Sequence, residues 1–217
     1  MMRAFNALIW SVGRCIRRRA KLHLVECFSG SDINKGIENM TKAKQITVTN
    51  AAGDRFAHAS ELTGQGKITS YGAVFEGEFK NGMLHGLGKQ THHCGAVFEG
   101  EFKNGMLHGL GKQTFRNEIL EGEFKNGLLH GQGRIAYSSG TVYEGEFYQS
   151  YLYGQGKKTC SSGYVYEGEF YRDYLHGQGK QTWPWGVVYE GEFVHGTIRG
   201  QGKLTYASGN VSEGEFI

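Results

Sequence analysis

The chain has 217 residues, a formal net charge of +3 at pH 7 and 39% hydrophobic residues. Glycine supplies 35 residues and proline only one, which excludes collagen, because a collagen chain needs glycine at every third position and frequent proline. Aromatic residues reach 13%, too many for a solvated disordered chain. Many glycines together with many aromatic rings favour short strands joined by tight turns.

The first 44 residues are basic, whereas the rest of the chain is mildly acidic. Residues 1–44 carry nine Lys/Arg against three acids, a net charge of +6, and residues 45–217 carry fifteen against eighteen, a net charge of −3. This asymmetry indicates a separate role for the N-terminal leader, residues 1–44. Its apolar residues recur at helical spacing: Phe5, Leu8, Ile9, Val12 and Ile16. The leader is therefore predicted to be helical or poorly ordered.

Three interpretations of the leader stay open. It is rich in arginine and has no acid before Glu26, as in a mitochondrial presequence. The same features suit a helix that lies on an anionic membrane, where each basic residue contributes ~1 kcal/mol. The third interpretation is a leader that is poorly ordered or packs on the rest of the chain. The candidate membrane-binding or targeting residues are Arg14, Arg17, Arg18, Arg19 and Lys21.

Residues 45–74 predict a degenerate first hairpin. The segment contains the motif Gly64-Gln-Gly-Lys67, but the motif Glu-Gly-Glu-Phe, which accompanies every later copy, does not precede it. Thr49, Gly53 and Phe56 keep the spacing of the corresponding residues in the later copies. A weaker terminal repeat is expected, because the end of a repeat array needs a cap.

Residues 75–217 consist of one short unit repeated along the chain. Glu-Gly-Glu-Phe occurs seven times, at intervals of 22 or 23 residues. Its central glycines are Gly77, Gly100, Gly122, Gly145, Gly168, Gly191 and Gly214. The motif Gly-x-Gly-Lys/Arg follows each of the first six copies, which gives six full repeats and a partial seventh.

Each unit predicts a β-hairpin. Period-two alternation places Phe98, Gly100 and Phe102 on one face of the first strand and the glutamates on the other. The glycine between two aromatic residues is predicted to leave room for a neighbouring ring over the backbone. Lys103-Asn-Gly105 then supplies the turn, since Asn and Gly tolerate positive φ. A single hairpin is marginally stable, so neighbouring hairpins must stack.

The predicted fold class is all-β. It is an elongated single-layer array of stacked antiparallel β-hairpins, preceded by the short helical leader. The domain organisation follows as leader 1–44, degenerate first hairpin 45–74 and repeat array 75–217.

These repeats resemble the MORN family (membrane occupation and recognition nexus). The family pattern appears here as Tyr143-Glu-Gly-Glu-Phe147, through Gly154-Gln-Gly156, to Gly163, and the resemblance covers about residues 62–217. Phe replaces the family's Trp in every copy, which preserves a large aromatic core residue. The resemblance implies an elongated antiparallel β structure that serves as a scaffold, dimerisation rod or membrane-proximal adaptor, in flagellar, cytoskeletal or membrane-junction assemblies.

The repeated motifs do not predict catalysis. A dinucleotide site needs Gly-x-Gly-x-x-Gly opening a helix, and no helix is predicted after any Gly-x-Gly here. The glutamates recur as a ladder, for which pairing with the lysines of neighbouring strands is the natural role. A row of histidines lacks a converging Cys or Asp and is interrupted by Tyr and Arg, so it predicts no metal site. The row is His85, His108, His130 and His176, with Tyr153 and Arg199 in the remaining copies. We therefore expect no enzyme activity, cofactor, metal or small-molecule substrate.

The candidate partner-binding residues lie where the repeat changes. The turns of the fourth and fifth hairpins exchange Lys-Asn-Gly for tyrosine-rich sequences, and a Trp-Pro-Trp segment lies at the opposite edge. Exposed Tyr and Trp are typical binding anchors, although the same rings would also pack on adjacent hairpins. The candidates are Tyr148, Tyr151, Tyr153, Tyr171, Tyr174, Trp183 and Trp185.

The resulting functional prediction is a non-catalytic scaffold or adaptor that binds a protein partner, near a membrane or in a cytoskeletal or flagellar assembly. The first alternative is a peripheral membrane protein that binds anionic phospholipid through the leader. The second is an accessory subunit of a mitochondrial complex. A homodimer through the terminal strand is a further expectation. Nucleic-acid binding is not expected, since the basic run is short and the array lacks a basic face with stacking aromatics. The predicted location is cytoplasmic, cytoskeleton- or membrane-associated, with mitochondria as the alternative.

Overall fold

A computed structural model describes residues 46–217, which form an all-β repeat structure with one short 3-10 helix at Ala59–Glu61. The predicted helical leader, with its five candidate basic residues, lies outside the described residues. No helix within residues 46–217 is long and apolar enough to span a membrane. The strands are β1 (Ile46–Asn50), β2 (Gly64–Ser70), β3 (Ala73–Lys80), β4 (Met83–Thr91), β5 (Val97–Lys103), β6 (Met106–Thr114), β7 (Glu118–Lys125), β8 (Leu128–Tyr137), β9 (Val142–Tyr148), β10 (Tyr151–Thr159), β11 (Val165–Tyr171), β12 (Tyr174–Thr182), β13 (Val188–Val194), β14 (Thr197–Thr205) and β15 (Val211–Phe216).

The fifteen strands follow chain order in one open antiparallel sheet, which confirms the predicted fold class. By internal contacts the chain divides into two compact units. The first runs to Phe115 and includes Phe124–Leu128, and the second comprises Arg116–Glu123 and Leu129–Ile217.

The hairpin β5–β6 in the first unit illustrates how the repeat folds. Asn104 (φ 51°) and Gly105 (φ 77°) form its two-residue turn, as the sequence predicts, because both central residues of this turn type need positive φ. Phe102 lies opposite Leu107, and the register then shifts before Gly100 pairs with Gly111. The shift makes a bulge, which bends the hairpin.

The core lies on the face that carries the phenylalanines and turn-proximal leucines. Phe102 and Leu107 are buried, and the equivalent pairs of other hairpins behave in the same way. A Cβ added at Gly111 would lie 3.0 Å from Leu107 Cδ2. The second glycine of Gly-x-Gly therefore makes the space into which the leucine of the same strand folds. The buried pairs include Phe79 with Leu84, Phe147 with Leu152, and Phe170 with Leu175.

The prediction for the glycine of Glu-Gly-Glu-Phe was wrong in its reason. Gly100 has φ 135°, and a Cβ there would meet the carbonyl oxygen of Leu110 and the Cα of Gly111 on the partner strand. The crowding comes from backbone rather than from a neighbouring ring, because the bulge brings the two strands of the hairpin together. Gly191 is the copy in which a ring also approaches, through the hydroxyl of Tyr189.

Successive hairpins are joined by hydrogen bonds at their turns. In the first unit, Gly105 N–H donates to Leu84 O over 2.9 Å and Gly127 N–H donates to Leu107 O over 2.8 Å. In the second unit, Asp173 N–H donates to Leu152 O over 3.0 Å. The turn of each hairpin therefore satisfies a carbonyl of the preceding one, so stacking meets the backbone requirement for buried hydrogen bonds.

The segment predicted as a degenerate first hairpin contains β1, the 3-10 helix and β2. The strands pair antiparallel from Ile46–Ser70 to Asn50–Gly66, but residues 51–63 connect them in place of a tight turn. Leu62, which is fully buried, accepts a 2.9 Å hydrogen bond from Gly82 N–H. It thereby takes the position that Leu84 holds in the next repeat, which suits a capping unit.

Candidate partner-binding surface

The sheet face opposite the core, called the charged face here, carries the two glutamates of every Glu-Gly-Glu-Phe. Its first glutamates form the cross-strand ion pairs that the sequence predicts. Lys157 Nζ lies 2.8 Å from Glu167, and this hydrogen-bonded pair raises the pKa of Lys157 above its ordinary value. Because both partners are largely exposed, such pairs contribute little to stability. Further pairs are Lys67–Glu76, Lys89–Glu99, Arg134–Glu121, Arg134–Glu144, Lys180–Glu190 and Lys203–Glu213.

The second glutamates, among them Glu146 and Glu169 of the fourth and fifth hairpins, behave differently from the first. Glu146 and Glu169 are exposed and make no ion pair within residues 46–217. Their carboxylates occupy the space that a Cβ would take at Gly154 and Gly177, so they lie flat along the charged face. This leaves two carboxylates available one hairpin apart.

The turns of the same two hairpins hold non-glycine residues at positive φ in both central positions. The second position is Ser150 (φ 64°) in one turn and Asp173 (φ 72°) in the other. Asp173 is buried, and its Oδ1 accepts a 2.9 Å hydrogen bond from Leu152 N–H. Ser150 Oγ accepts a 3.1 Å bond from Leu129 N–H. Each side chain therefore adds a second link to the preceding hairpin, which offsets the cost of a left-handed residue.

Aromatic rings beside these turns form a continuous row, called the tyrosine ladder here, which runs through His130, Tyr148, Tyr153, Tyr171, His176 and His195. Tyr153 lies between its neighbours, with its ring centroid 5.7 Å from that of Tyr148 and 5.0 Å from that of Tyr171. Tyr171 in turn lies 5.8 Å from His176 and 6.0 Å from His195. The rings are tilted or edge-on to one another, not stacked flat.

The ladder is accessible in spite of its internal contacts. Tyr148 is 49% exposed and Tyr171 38% exposed. A hydrogen bond with Tyr171 raises the pKa of Tyr153, and Arg172 opposes that shift. The Arg172 guanidinium also lies 5.6 Å from the centre of the Tyr171 ring. The rings both pack on adjacent hairpins and remain available to a partner.

Two further candidate tyrosines lie next to the ladder. Tyr151 pairs with Tyr148 across the turn and is half-buried. Tyr174 pairs with Tyr171 and is 59% exposed. Its ring lies beside Gly196 in the following turn.

The candidate tryptophans are not part of this surface. Trp183 and Trp185 belong to the loop between β12 and β13, so the full length of β12 separates them from the turn at Tyr174. Trp185 is 59% exposed and makes an edge contact with Tyr164 at 5.8 Å. The seven candidates therefore divide between two edges of the sheet.

Sequence reasoning missed the capping role of Ser150 and Asp173, although the replacement of a turn glycine was a visible signal. It also missed His195, which extends the ladder, and two exposed leucines on the first unit's charged face. Leu87 and Leu110 are 62% and 63% exposed where the other copies carry glutamine. Leu87 borders a shallow groove of 570 Å³ lined also by Glu78, His85, Glu101 and His108.

No group of three His, Cys, Asp or Glu side chains within residues 46–217 is arranged to hold a metal ion. The rows of histidine and glutamate run along the sheet, and metal sites need ligands that converge.

Stacked hairpins with a repeated core and a variable charged face define a β-hairpin repeat protein. The family model described as MORN repeat matches the chain six times, at residues 75–92, 98–118, 121–142, 143–163, 166–188 and 189–211. The chain belongs to the MORN repeat family. A comparison with curated proteins finds none that matches it.

Proposed function

We propose that this MORN repeat protein is a non-catalytic scaffold that binds a protein partner through the tyrosine ladder. The observation that carries the proposal is the pair of exposed rings Tyr148 and Tyr171, joined by the half-buried Tyr153. Tyrosine at such a site supplies a large, rigid contact surface with a polar end, which is the chemistry of binding hot spots. The repetition of its glutamate and histidine rows also favours binding over catalysis.

The chain itself provides the substitutions that test this proposal. The positions of Tyr148 and Tyr171 are occupied by lysine in the first three hairpins, at Lys80, Lys103 and Lys125. The variant Tyr148→Lys with Tyr171→Lys therefore keeps residues that the fold already accepts. Trp185→Ser is the matched control, because equivalent loops carry serine at Ser139, Ser162 and Ser208.

Quantitative affinity capture of the intact chain, followed by mass spectrometry, would compare the three proteins. We expect the double variant to lose the partners that the parent and the Trp185→Ser control retain. Thermal unfolding of each protein verifies that the repeat array is intact. An unchanged set of partners in a folded double variant would contradict the proposal.

A second candidate function is binding to anionic lipid through the leader, favoured by Arg14, Arg17, Arg18, Arg19 and Lys21. The same basic segment supports the alternative of a mitochondrial presequence. Proximity labelling with the leader intact would distinguish these locations from a cytoskeletal or flagellar assembly, since it reports neighbours and compartment together.

Self-association is compatible with the scaffold function. Within residues 46–217 the outer strand β15 pairs with one strand, β14, and an open strand edge is able to pair with a second copy. Sedimentation velocity over a range of concentrations measures this directly, and a constant monomer would exclude the homodimer.

A further inference from the structure

The tyrosine ladder has a regular spacing that restricts the kind of partner it fits, if the proposed function holds. Tyr148 and Tyr171 occupy equivalent positions one hairpin apart, with Tyr153 between them. One hairpin spans two strands, or roughly 9.6 Å across the sheet at a typical strand separation. The equivalent tyrosines and the second glutamates therefore recur with about this period.

A polyproline II helix has nearly the same period. It contains about 3 residues per turn with a rise of ~3.1 Å each, so one of its side-chain rows repeats every ~9.3 Å. An α-helix presents its turns every ~5.4 Å, which matches the spacing of neighbouring rings but not the period of the hairpins. A polyproline II segment lying across the strands would therefore bring every third side chain to an equivalent tyrosine ring.

The charges beside the ladder determine which side chains the second row of such a segment carries. In the first three hairpins a lysine stands two residues after the second glutamate, on the same face of the strand, whereas Tyr148 and Tyr171 replace it in the fourth and fifth. The replacement adds a ring and removes a cation next to Glu146 and Glu169. The Arg172 guanidinium lies over the Tyr171 ring. The two exposed carboxylates thus complement a basic partner.

We propose that the tyrosine ladder, with Glu146 and Glu169, binds a proline-rich segment of a partner protein in the polyproline II conformation, with Arg or Lys at every third position. Prolines of one row pack against the exposed rings of Tyr148 and Tyr171. Basic side chains of the adjacent row reach the carboxylates. The segment's backbone carbonyls, which have no internal hydrogen bonds, accept from tyrosine hydroxyls.

Sheet twist limits the length of the match. Adjacent strands rotate by roughly 20–25°, so a straight segment leaves the surface after a few strands. Two tyrosine hairpins therefore accommodate about two turns of the ligand, on the order of six residues. The low conformational entropy of a polyproline II segment compensates for this small contact area.

The probe is a fluorescent peptide of repeated Pro-Pro-Arg triplets, titrated against the intact chain by anisotropy. Two control peptides isolate the two parts of the inference. Pro-Pro-Glu triplets keep the conformation and reverse the charge, and Gly-Ala-Arg triplets keep the charge and remove the preferred conformation. We expect saturable binding of the first peptide and binding at least about tenfold weaker for both controls.

The protein variants test the assigned surface. Tyr148→Lys with Tyr171→Lys should abolish measurable binding, whereas Trp185→Ser should leave it unchanged. Glu146→Gln with Glu169→Gln should weaken binding several-fold and flatten its salt dependence, since the exposed charge contribution is screened by salt. Equal binding of Gly-Ala-Arg, or retention in the tyrosine double variant, would overturn the inference.

The peptide and capture experiments together distinguish failure of the polyproline inference from failure of the proposed function. If Pro-Pro-Arg does not bind but the tyrosine double variant still loses captured partners, the ladder binds a partner of different chemistry and only the polyproline inference fails. If the double variant keeps both its partners and its behaviour towards the peptides, both proposals fail.

Discussion

At the scale of single residues, the two turns of the tyrosine hairpins use side chains where other turns use glycine. Asp173 combines a positive φ of 72° with a buried carboxylate that accepts from Leu152 N–H. The equivalent turn positions in the neighbouring hairpins include Gly127 and Gly196. The Asp173 side chain therefore holds the turn to the preceding hairpin.

Replacement of Asp173 by alanine should destabilise the protein more than replacement by glycine. Both variants lose the hydrogen bond to Leu152, but alanine also pays the cost of a left-handed conformation, about 1–2 kcal/mol. Urea unfolding measures the free energy of each variant. Equal stabilities of Asp173→Ala and Asp173→Gly would show that the backbone leaves positive φ when the carboxylate is removed.

Residue-scale prediction from the sequence succeeded where the constraint is local. Asn104 and Gly105 form the expected turn, because positive φ is a property of those residue types. The reason assigned to Gly100 was wrong, because the crowding atom, Leu110 O, reaches it only through the bulge in the partner strand. A side chain's neighbours across a bulge do not follow from alternation.

At the scale of the hairpin, aromatic rings bridge consecutive loops as well as consecutive turns. His92 lies between Phe75 and Phe98, at ring-centroid distances of 6.1 and 5.3 Å. Burial lowers the pKa of His92, and the nearby His93 lowers it further. Its Nε2 has no hydrogen-bond partner within residues 46–217. The neutral imidazole is thus the form that packs in the folded state.

This burial predicts a loss of stability in acid. Above the unfolded-state pKa of 6.5 His92 is neutral in both states and contributes no pH dependence. As the pH falls through that value the unfolded chain takes up the proton first, so the free energy of unfolding decreases until the lower folded-state pKa is passed.

The variant His92→Phe isolates this contribution, since Phe115 and Tyr137 occupy the equivalent position in later copies. Chemical unfolding of both proteins between about pH 7.5 and 5 should show a smaller decrease for the variant. Parallel curves for the two proteins would exclude His92 as a source of acid sensitivity.

At the scale of the whole molecule, charge is divided between the leader and the repeats. The net charges of +6 for residues 1–44 and −3 for residues 45–217 assign any attraction to anionic lipid to the leader. The acidic repeats would be repelled by the same surface.

Vesicle flotation should therefore separate the two parts of the chain. We expect the full chain to bind phosphatidylserine-containing vesicles and a variant lacking residues 1–44 not to bind. Neutral vesicles and raised salt serve as controls, because screening weakens exposed charge interactions. If residues 45–217 still bind the vesicles, the lipid site lies in the repeats and not in the leader.

The sequence by itself determined the all-β class, the repeat boundaries, the turn positions and the residue types of the charged and aromatic rows. These depend on period-two alternation and on residues a few positions apart. Only the tertiary structure decided which charged and aromatic side chains contact each other. Lys89 lies opposite both Glu76 and Glu99 in the sheet, and its ion pair, of 2.6 Å, forms with Glu99 in the following hairpin. In the same way, Tyr153 joins Tyr148 to Tyr171 because bulges and stacking set distances between residues about one repeat apart, which local sequence pattern does not encode.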